Sequence, residues 1–247
     1  MKDVVAIIPA RSGSKSVKDK NIITLSGFPM ISYSIAAAKL SKFISRVIVS
    51  TDSIKYAEIV KKFGAEAPFI RPSEIATDQS GDIDFFKHLI HYLNEHEGYC
   101  PKYFVHLRPT TPLRKPDIID KAIEKILDLE DYTALRSGHK APESPLKWFK
   151  MGDKNQFISI MNSTDHNEYS NLPKENFEDI YIPNGYVDIV KSTQISETNT
   201  LHGNKVFGFE TSPCIEIDSE SELDYINYQM NKDGSILKDF LMKYKNK

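Results

Sequence analysis

The sequence predicts an α/β fold: a doubly wound, mostly parallel sheet flanked by helices. Three observations carry this expectation. Short continuous apolar runs, such as Val4-Val5-Ala6-Ile7-Ile8 and Tyr103-Phe104-Val105-His106-Leu107, suit strands buried on both faces. These runs alternate with segments of helical pattern, the order expected of β-α-β units. The length of 247 residues, with 40% hydrophobic and 27% charged residues, fits one globular domain or one domain with an inserted arm.

Taken in order, Val4 to Ile8 reads as a central strand and Ala10 to Asn21 as a polar loop. Pro29 sits at a first-turn position and opens a helix through Leu40. Arg46 to Ser50 is the second strand. Ser53 caps a helix through Phe63, and Gly64 ends it. Ala67 to Arg71 reads as extended, Asp82 to Glu97 as a helix and Tyr103 to Leu107 as a strand. Pro116 opens a helix through Leu129, and Tyr132 to Arg136 is again extended. The alternation breaks after Gly138. Residues 139–183 read as an inserted arm, because Trp148, Phe149, Phe157, Tyr169, Phe177 and Tyr181 make the segment too aromatic for a linker. Strands resume at Tyr186 to Val190 and Val206 to Phe209, and Ser219 with Glu222 has capping-box spacing before the last helix. Right-handed crossovers place the loops after Ile8 and Leu107 together at the carboxyl edge of the strands, where such sheets bind ligands.

Charge and cysteine usage exclude several classes. A net charge of −2 gives no broad basic face for nucleic acid. Cys100 and Cys214 form no CxxC pair, so a reducing cytoplasm is expected rather than a disulfide framework. The apolar run ending at Pro9 is too short for a signal-peptide core or a membrane helix.

Three segments can carry chemistry. Pro9 to Asn21 follows the first strand and holds Arg11, Lys15, Lys18 and Lys20 among Ser12, Gly13, Ser14 and Ser16. Successive backbone N–H groups and cations of this kind can cradle a polyphosphate, and Arg grips two oxygens at once; the alternative is a solvated basic loop. Gly13 stands alone, so there is no GxGxxG, and no Gly-Lys pair gives a Walker-type loop. His106-Leu107-Arg108-Pro109-Thr110-Thr111-Pro112-Leu113-Arg114 is stiffened by prolines and offers hydroxyls at the binding edge; it also reads as a turn toward Pro116. In Cys214-Ile215-Glu216-Ile217-Asp218, a strand would put Glu216 and Asp218 on one face. Such a pair can hold Mg²⁺, or Asp218 can simply favour the next helix N-terminus. His88, His91 and His96 share a helix without zinc-site spacing.

Together these segments resemble the acylneuraminate cytidylyltransferase family over almost the whole chain. The resemblance rests on Ile8-Pro9-Ala10-Arg11-Ser12-Gly13-Ser14-Lys15 with Lys20-Asn21, then Ile48-Val49-Ser50-Thr51-Asp52, then Arg71-Pro72-Ser73-Glu74-Ile75-Ala76-Thr77-Asp78. It continues through Pro109-Thr110-Thr111-Pro112-Leu113-Arg114, Pro145-Leu146-Lys147, Pro183-Asn184-Gly185 and Glu216-Ile217-Asp218, in the family's order. It implies a Rossmann-like nucleotide-diphospho-sugar transferase fold and transfer of CMP from CTP to the anomeric hydroxyl of a 2-keto-3-deoxy sugar acid. It further implies that Arg11, Ser12, Gly13, Ser14, Lys15, Lys20, Asn21, Arg71, Thr77 and Ser80 bind the nucleotide. Arg108, Thr110, Thr111, Lys147 and Tyr169 would face the acidic sugar, and Glu216 and Asp218 would hold Mg²⁺. Arg11, Lys20 and Asp218 would serve the chemical step, and the 139–183 arm would make a homodimer. An octulosonate enzyme, or a non-catalytic nucleotide binder of the same fold, is the alternative.

The departures from the family pattern fall mostly on the sugar side. Ser16 stands in place of a glycine, Arg108 in place of a glutamine and Glu216 in place of an aspartate. Tyr169-Ser170-Asn171-Leu172-Pro173 lacks the arm's arginine-glutamine stretch, and Ile182 replaces an arginine. These changes point to a nonulosonate other than N-acetylneuraminate, such as a legionaminate or pseudaminate.

Overall fold

A computed structural model describes residues 3–13, 19–160 and 169–245. The strands are β1 (Val4–Pro9), β2 (Thr24–Leu25), β3 (Phe28–Pro29), β4 (Arg46–Ser50), β5 (Tyr103–His106), β6 (Ala134–Lys140), β7 (Phe149–Met151), β8 (Phe157–Ser159), β9 (Tyr181–Lys191) and β10 (Val206–Glu210). The helices are α1 (Met30–Leu40), α2 (Ile54–Lys62), α3 (Asp82–Glu97), α4 (Pro116–Leu127), α5 (Ser192–Thr198), α6 (Glu220–Asp233) and α7 (Ile236–Leu241).

Local chemistry sets the helix ends. Ser53 Oγ accepts from the Tyr56 N–H at the start of α2, and Gly64 follows with φ +78°. At α3 the Gly81 N–H donates to Asp84 Oδ2 at 3.0 Å, and Gly98 turns left-handed after Glu97. Pro116 occupies the first turn of α4. Ser219 and Glu222 make the reciprocal capping box of α6. Pro29 precedes α1 as its cap rather than sitting inside it.

The main sheet has the order β10-β6-β9-β5-β1-β4. β4, β1 and β5 are mutually parallel, as are β6 and β10, while β9 runs antiparallel to both β5 and β6. The mostly parallel α/β sheet thus holds, with one reversed strand near its middle. The reversal follows from the chain path. β6 leaves at the carboxyl edge, and the chain returns from the arm at that same edge as β9. Their ladder runs out to Lys140 opposite Tyr181, and the segment beyond carries the β7–β8 hairpin and short 3-10 turns.

Alternate residues of β1 enter two cores. Val4, Ala6 and Ile8 pack with α1, α4, α6 and α7, while Val5 and Ile7 pack with Phe85, Phe86 and Leu89 of α3 and Ile195 of α5. Met30 to Ala38 of α1 are all buried, as expected of a helix apolar on every side. Its two buried serines are satisfied, Ser32 Oγ by Pro29 O at 2.6 Å and Ser34 Oγ by Arg108 O at 2.9 Å.

One expectation fails. Cys214–Asp218 is not a strand. The Ile217 N–H donates to Thr110 O at 2.9 Å, so the segment ties to the Thr110 loop instead of joining a ladder. Ile217 is buried between the two acids, which leaves Glu216 half-buried and Asp218 exposed.

Candidate active site

β1 and β5 end at the same edge, and their loops wall a cleft of about 520 Å³. Arg11, Lys20, Asn21, Arg71, Thr77, Ser80, Arg108 and Thr110 all line it, joined by Asp78, Asp82 and Phe85. The first loop is set rigidly as it leaves β1. The Ala10 N–H donates to Ser50 O at 2.9 Å. Asp52, two residues beyond the end of β4 at Ser50, takes the Ser12 N–H at 2.8 Å and the Ser12 hydroxyl at 2.9 Å. Asn21 is buried and its Nδ2 donates to Arg11 O at 2.9 Å, closing the far side of the loop. Ser12 and Gly13 belong to this loop but do not line the cleft. Ser14 and Lys15 lie outside the described residues.

The cations of the cleft are held by acids from other segments. Arg11 pairs with Asp78 across the cleft. Lys20 Nζ lies 2.6 Å from Asp218 Oδ1, and its side chain is 13% exposed against 67% for Asp218. Arg71 is buried, with Nε donating to Ser50 Oγ at 3.0 Å, NH2 donating to Ser50 O, and its guanidinium 5.2 Å from the centre of the Phe85 ring. Burial pushes Arg71 down to about 10, opposed by Asp52 and Asp82, so it stays a cation at neutral pH. Thr77 and Ser80 bond each other, the Thr77 N–H donating to Ser80 Oγ at 3.0 Å.

Arg108 carries the opposite wall. Its NH2 lies 3.1 Å from Asp82 Oδ2, at the first turn of α3. Burial pulls the guanidinium down, but Asp82 and Asp188 outweigh it and the net displacement is upward. Burial pushes the Glu216 carboxyl up, with Arg108 opposing and Asp218 adding to the rise. Gly185, at φ +58°, lets these groups come together, because a Cβ there would collide with Glu216 and Arg108. His106 is buried 4.0 Å from Asp82, and burial pushes it down to about 4, so it is neutral at pH 7.

Glu216 and Asp218 bracket the cleft through Arg108 and Lys20 rather than lining it. Among the described residues no three or more His, Cys, Asp or Glu side chains converge as a metal site. An ion held at Glu216 and Asp218 would take at most two protein carboxylates and would complete its shell with phosphate oxygens and water, as Mg²⁺ can.

Of the residues assigned to the sugar, Thr111 and Lys147 do not line the cleft. Thr111 is buried, its Oγ1 has no hydrogen-bond partner among the described residues, and it borders a different cavity with Tyr186 and Cys214. Lys147 donates to Leu172 O at 3.0 Å within the arm. Tyr169 opens the arm's 3-10 turn Tyr169–Asn171. Asp78, Asp82 and Phe85 line the cleft without having been assigned from sequence. Asp82 was visible only as the start of a helix, and nothing local signals its partner Arg108.

The sequence matches the cytidylyltransferase family over residues 5–148. An N-acylneuraminate cytidylyltransferase from Escherichia coli O18:K1:H7 is 33% identical over 221 residues, covering 90% of this chain and 48% of that protein. The chain thus spans about half the length of that relative. A CMP-N,N'-diacetyllegionaminic acid synthase from Campylobacter jejuni serotype O:2 is 28% identical over 244 residues, covering 97% of this chain and all of that protein. In fold, a solved structure of CMP:2-keto-3-deoxy-manno-octonic acid synthetase complexed with CTP superposes with a TM-score of 0.70 at 15% identity, covering 93% of this chain and 99% of the other. The family match takes in the loop that carries Arg11, the Arg71–Ser80 wall and the Arg108–Thr110 loop, so the chain belongs to the cytidylyltransferase family.

Proposed function

We propose that the chain transfers CMP from CTP to the anomeric hydroxyl of an acidic 2-keto-3-deoxy sugar, a nonulosonate other than N-acetylneuraminate. The observation that carries this is the cleft, where Arg11, Lys20, Arg71 and Arg108 all line one cavity. The anomeric oxygen attacks the α-phosphorus, the new O–P bond forms as the bond to the β-phosphate oxygen breaks, and pyrophosphate leaves. Arg11 and Lys20 bind the polyphosphate once it displaces their carboxylate partners, Asp78 and Asp218. Arg71 fixes the nucleoside end with Thr77 and Ser80. Arg108, aimed by Asp82, pairs with the sugar carboxylate and aligns the nucleophile. Glu216 and Asp218 would hold Mg²⁺, which would supply charge neutralisation and lower the pKa of the attacking hydroxyl. Pyrophosphate release is expected to require CTP, a divalent cation and one particular acid, and to stop on chelation. Equal or better turnover of N-acetylneuraminate than of bacterial nonulosonates would overturn the choice of sugar.

The arm belongs to a homodimer in this reading, and the compartment is the cytoplasm. Phe149, Met151, Phe157 and Ile160 on and beside the β7–β8 hairpin are 46%, 61%, 66% and 50% exposed, an apolar surface left open by the other described residues. Sedimentation at micromolar concentration is expected to give a dimer, and a monomer would refute this role for the arm. No helix among the described residues is long and apolar enough to cross a membrane.

A further inference from the structure

Two cations of the cleft, Arg11 and Lys20, each sit next in sequence to a residue tied to one short segment outside it. Arg11 precedes Ser12, whose N–H and hydroxyl go to Asp52 at 2.8 and 2.9 Å. Lys20 follows Asp19, whose Oδ1 accepts from the Tyr56 hydroxyl at 2.9 Å. Asp52 and Tyr56 flank Ser53, the N-cap of α2, so one turn of chain holds both ends of the first loop. Neither Asp52 nor Tyr56 lines the cleft. The end of β4, just before this turn, ties in Arg71 as well. The Arg71 N–H donates to Thr51 O at 2.7 Å and its Nε to Ser50 Oγ at 3.0 Å. Burial lowers Arg71, and the Asp52 charge is the foremost group opposing that fall.

The Tyr56 hydroxyl is not required by packing. Tyr56 is 1% exposed and its ring belongs to the core with Ala57 and Val60 of the same helix, a volume that phenylalanine would also fill. Burial, then the bond to Asp19, pushes the phenol above its ordinary value, so it stays protonated and donates. Asp19 is the residue that gains from this hold. Its φ of +54° is left-handed, which a residue with a Cβ disfavours. It also leads into the 3-10 turn Lys20–Ile22, whose Ile22 N–H returns to Asp19 O at 2.9 Å, so the orientation of Asp19 sets where Lys20 departs. Lys55 reaches the other Asp19 oxygen at 3.2 Å, but its side chain is 64% exposed and the pair contributes little.

We propose that Asp52 and Tyr56 are positioning residues for the transfer: through Ser12 and Asp19 they set Arg11 and Lys20 at the spacing a polyphosphate needs, while neither touches substrate. The inference rests on the cytidylyl-transfer reading and adds the residues that aim its anion site. Cations whose backbone is already fixed lose less freedom when the anion arrives, so the hold is felt in CTP binding and in turnover rather than in binding of the acid.

The test uses Tyr56→Phe, Asp52→Ala and Asp52→Asn in the full chain. Pyrophosphate release gives kcat and the KM of CTP and of the acid that the wild type turns over. Calorimetric titration with CTP and Mg²⁺, with no acid present, gives CTP binding by itself, and a melting curve reports the fold. Tyr56→Phe is expected to raise KM and Kd for CTP about five- to tenfold, and Asp52→Ala about tenfold or more. The KM of the acid stays within about twofold in both. Asp52→Asn keeps an oxygen for the Ser12 N–H and recovers part of the loss. Tyr56→Phe melts within about 5 °C of the wild type, so it decides the matter even where Asp52→Ala fails to fold. Unchanged CTP binding in Tyr56→Phe and Asp52→Asn would overturn the assignment. Equal rises in the KM of CTP and of the acid, the mark of a generally loosened chain, would overturn it too. A wild type that releases no pyrophosphate from CTP with any acid would overturn the cytidylyl-transfer reading first, and this inference with it.

Discussion

Replacing Arg11 by alanine lowers kcat/KM for cytidylyl transfer about 100- to 1,000-fold, the usual cost of losing one preorganised partner of a charged transition state. The reason is positional. Arg11 sits at the mouth of the first loop, and the backbone at Arg11 and Ser12 is held by Asn21 and Asp52, so Arg11 is poised before substrate arrives. Thermal stability hardly changes, because the Arg11–Asp78 pair lies between side chains 35% and 36% exposed, where ion pairs contribute little. Steady-state kinetics at varied CTP, beside a melting curve, separate the two effects. Near-normal turnover would move the triphosphate away from the β1 loop.

Arg114→Met is expected to act the opposite way, on the fold first. Arg114 is fully buried. Its NH1 donates to Ser34 Oγ at 2.9 Å and to the carbonyls of Arg108 and Thr111 at 2.7 Å each. Its NH2 donates to Gly185 O at 2.8 Å, and its Nε to Tyr186 O. Methionine fills much of the volume but takes the guanidinium donors away from the Thr111, Gly185 and Tyr186 carbonyls, while Arg108 O keeps Ser34 Oγ. The loss is expected to be about 3–5 kcal/mol, a fall in Tm of about 10 °C for a chain of this size. Arg114→Lys recovers little, because an ammonium cannot span the same set of acceptors. Differential scanning calorimetry decides it, and a Tm within about 2 °C of wild type would refute the clamp.

These two arginines show how far the sequence could be read. Arg11 was legible because its role depends on a short stretch: an apolar strand that must end at Pro9, followed by a polar loop. The cap at Ser53, the bounds of α3 and the capping box at Ser219 were legible for the same local reason. Arg114 closed a recognisable run, but its role depends on Ser34, Gly185 and Tyr186, which sequence alone does not place beside it. The same holds for Asp82 beside Arg108 and for Tyr56 beside Asp19, pairs that only the folded chain brings together. The orientation of β9 was out of reach because it depends on where the arm returns. Cys214–Asp218 has strand-like alternation, yet its backbone found Thr110 instead of a ladder, because one hydrogen bond to a loop can replace a strand partner. Lys147 was placed with the sugar by resemblance, and in the single chain its amine bonds within the arm.

The reversed strand has a consequence for what counts as a folding unit. The family match stops at Trp148, yet β9 begins at Tyr181 and lies between β5 and β6. A fragment ending at the family boundary would keep β4, β1 and β5 as one half-sheet and leave β6 with neither of its neighbours. Each piece would expose a bare strand edge, the template on which chains aggregate. The portion of the chain most easily recognised by its sequence is therefore not a portion that can close its own sheet, and the keystone is a strand made long after most of its neighbours.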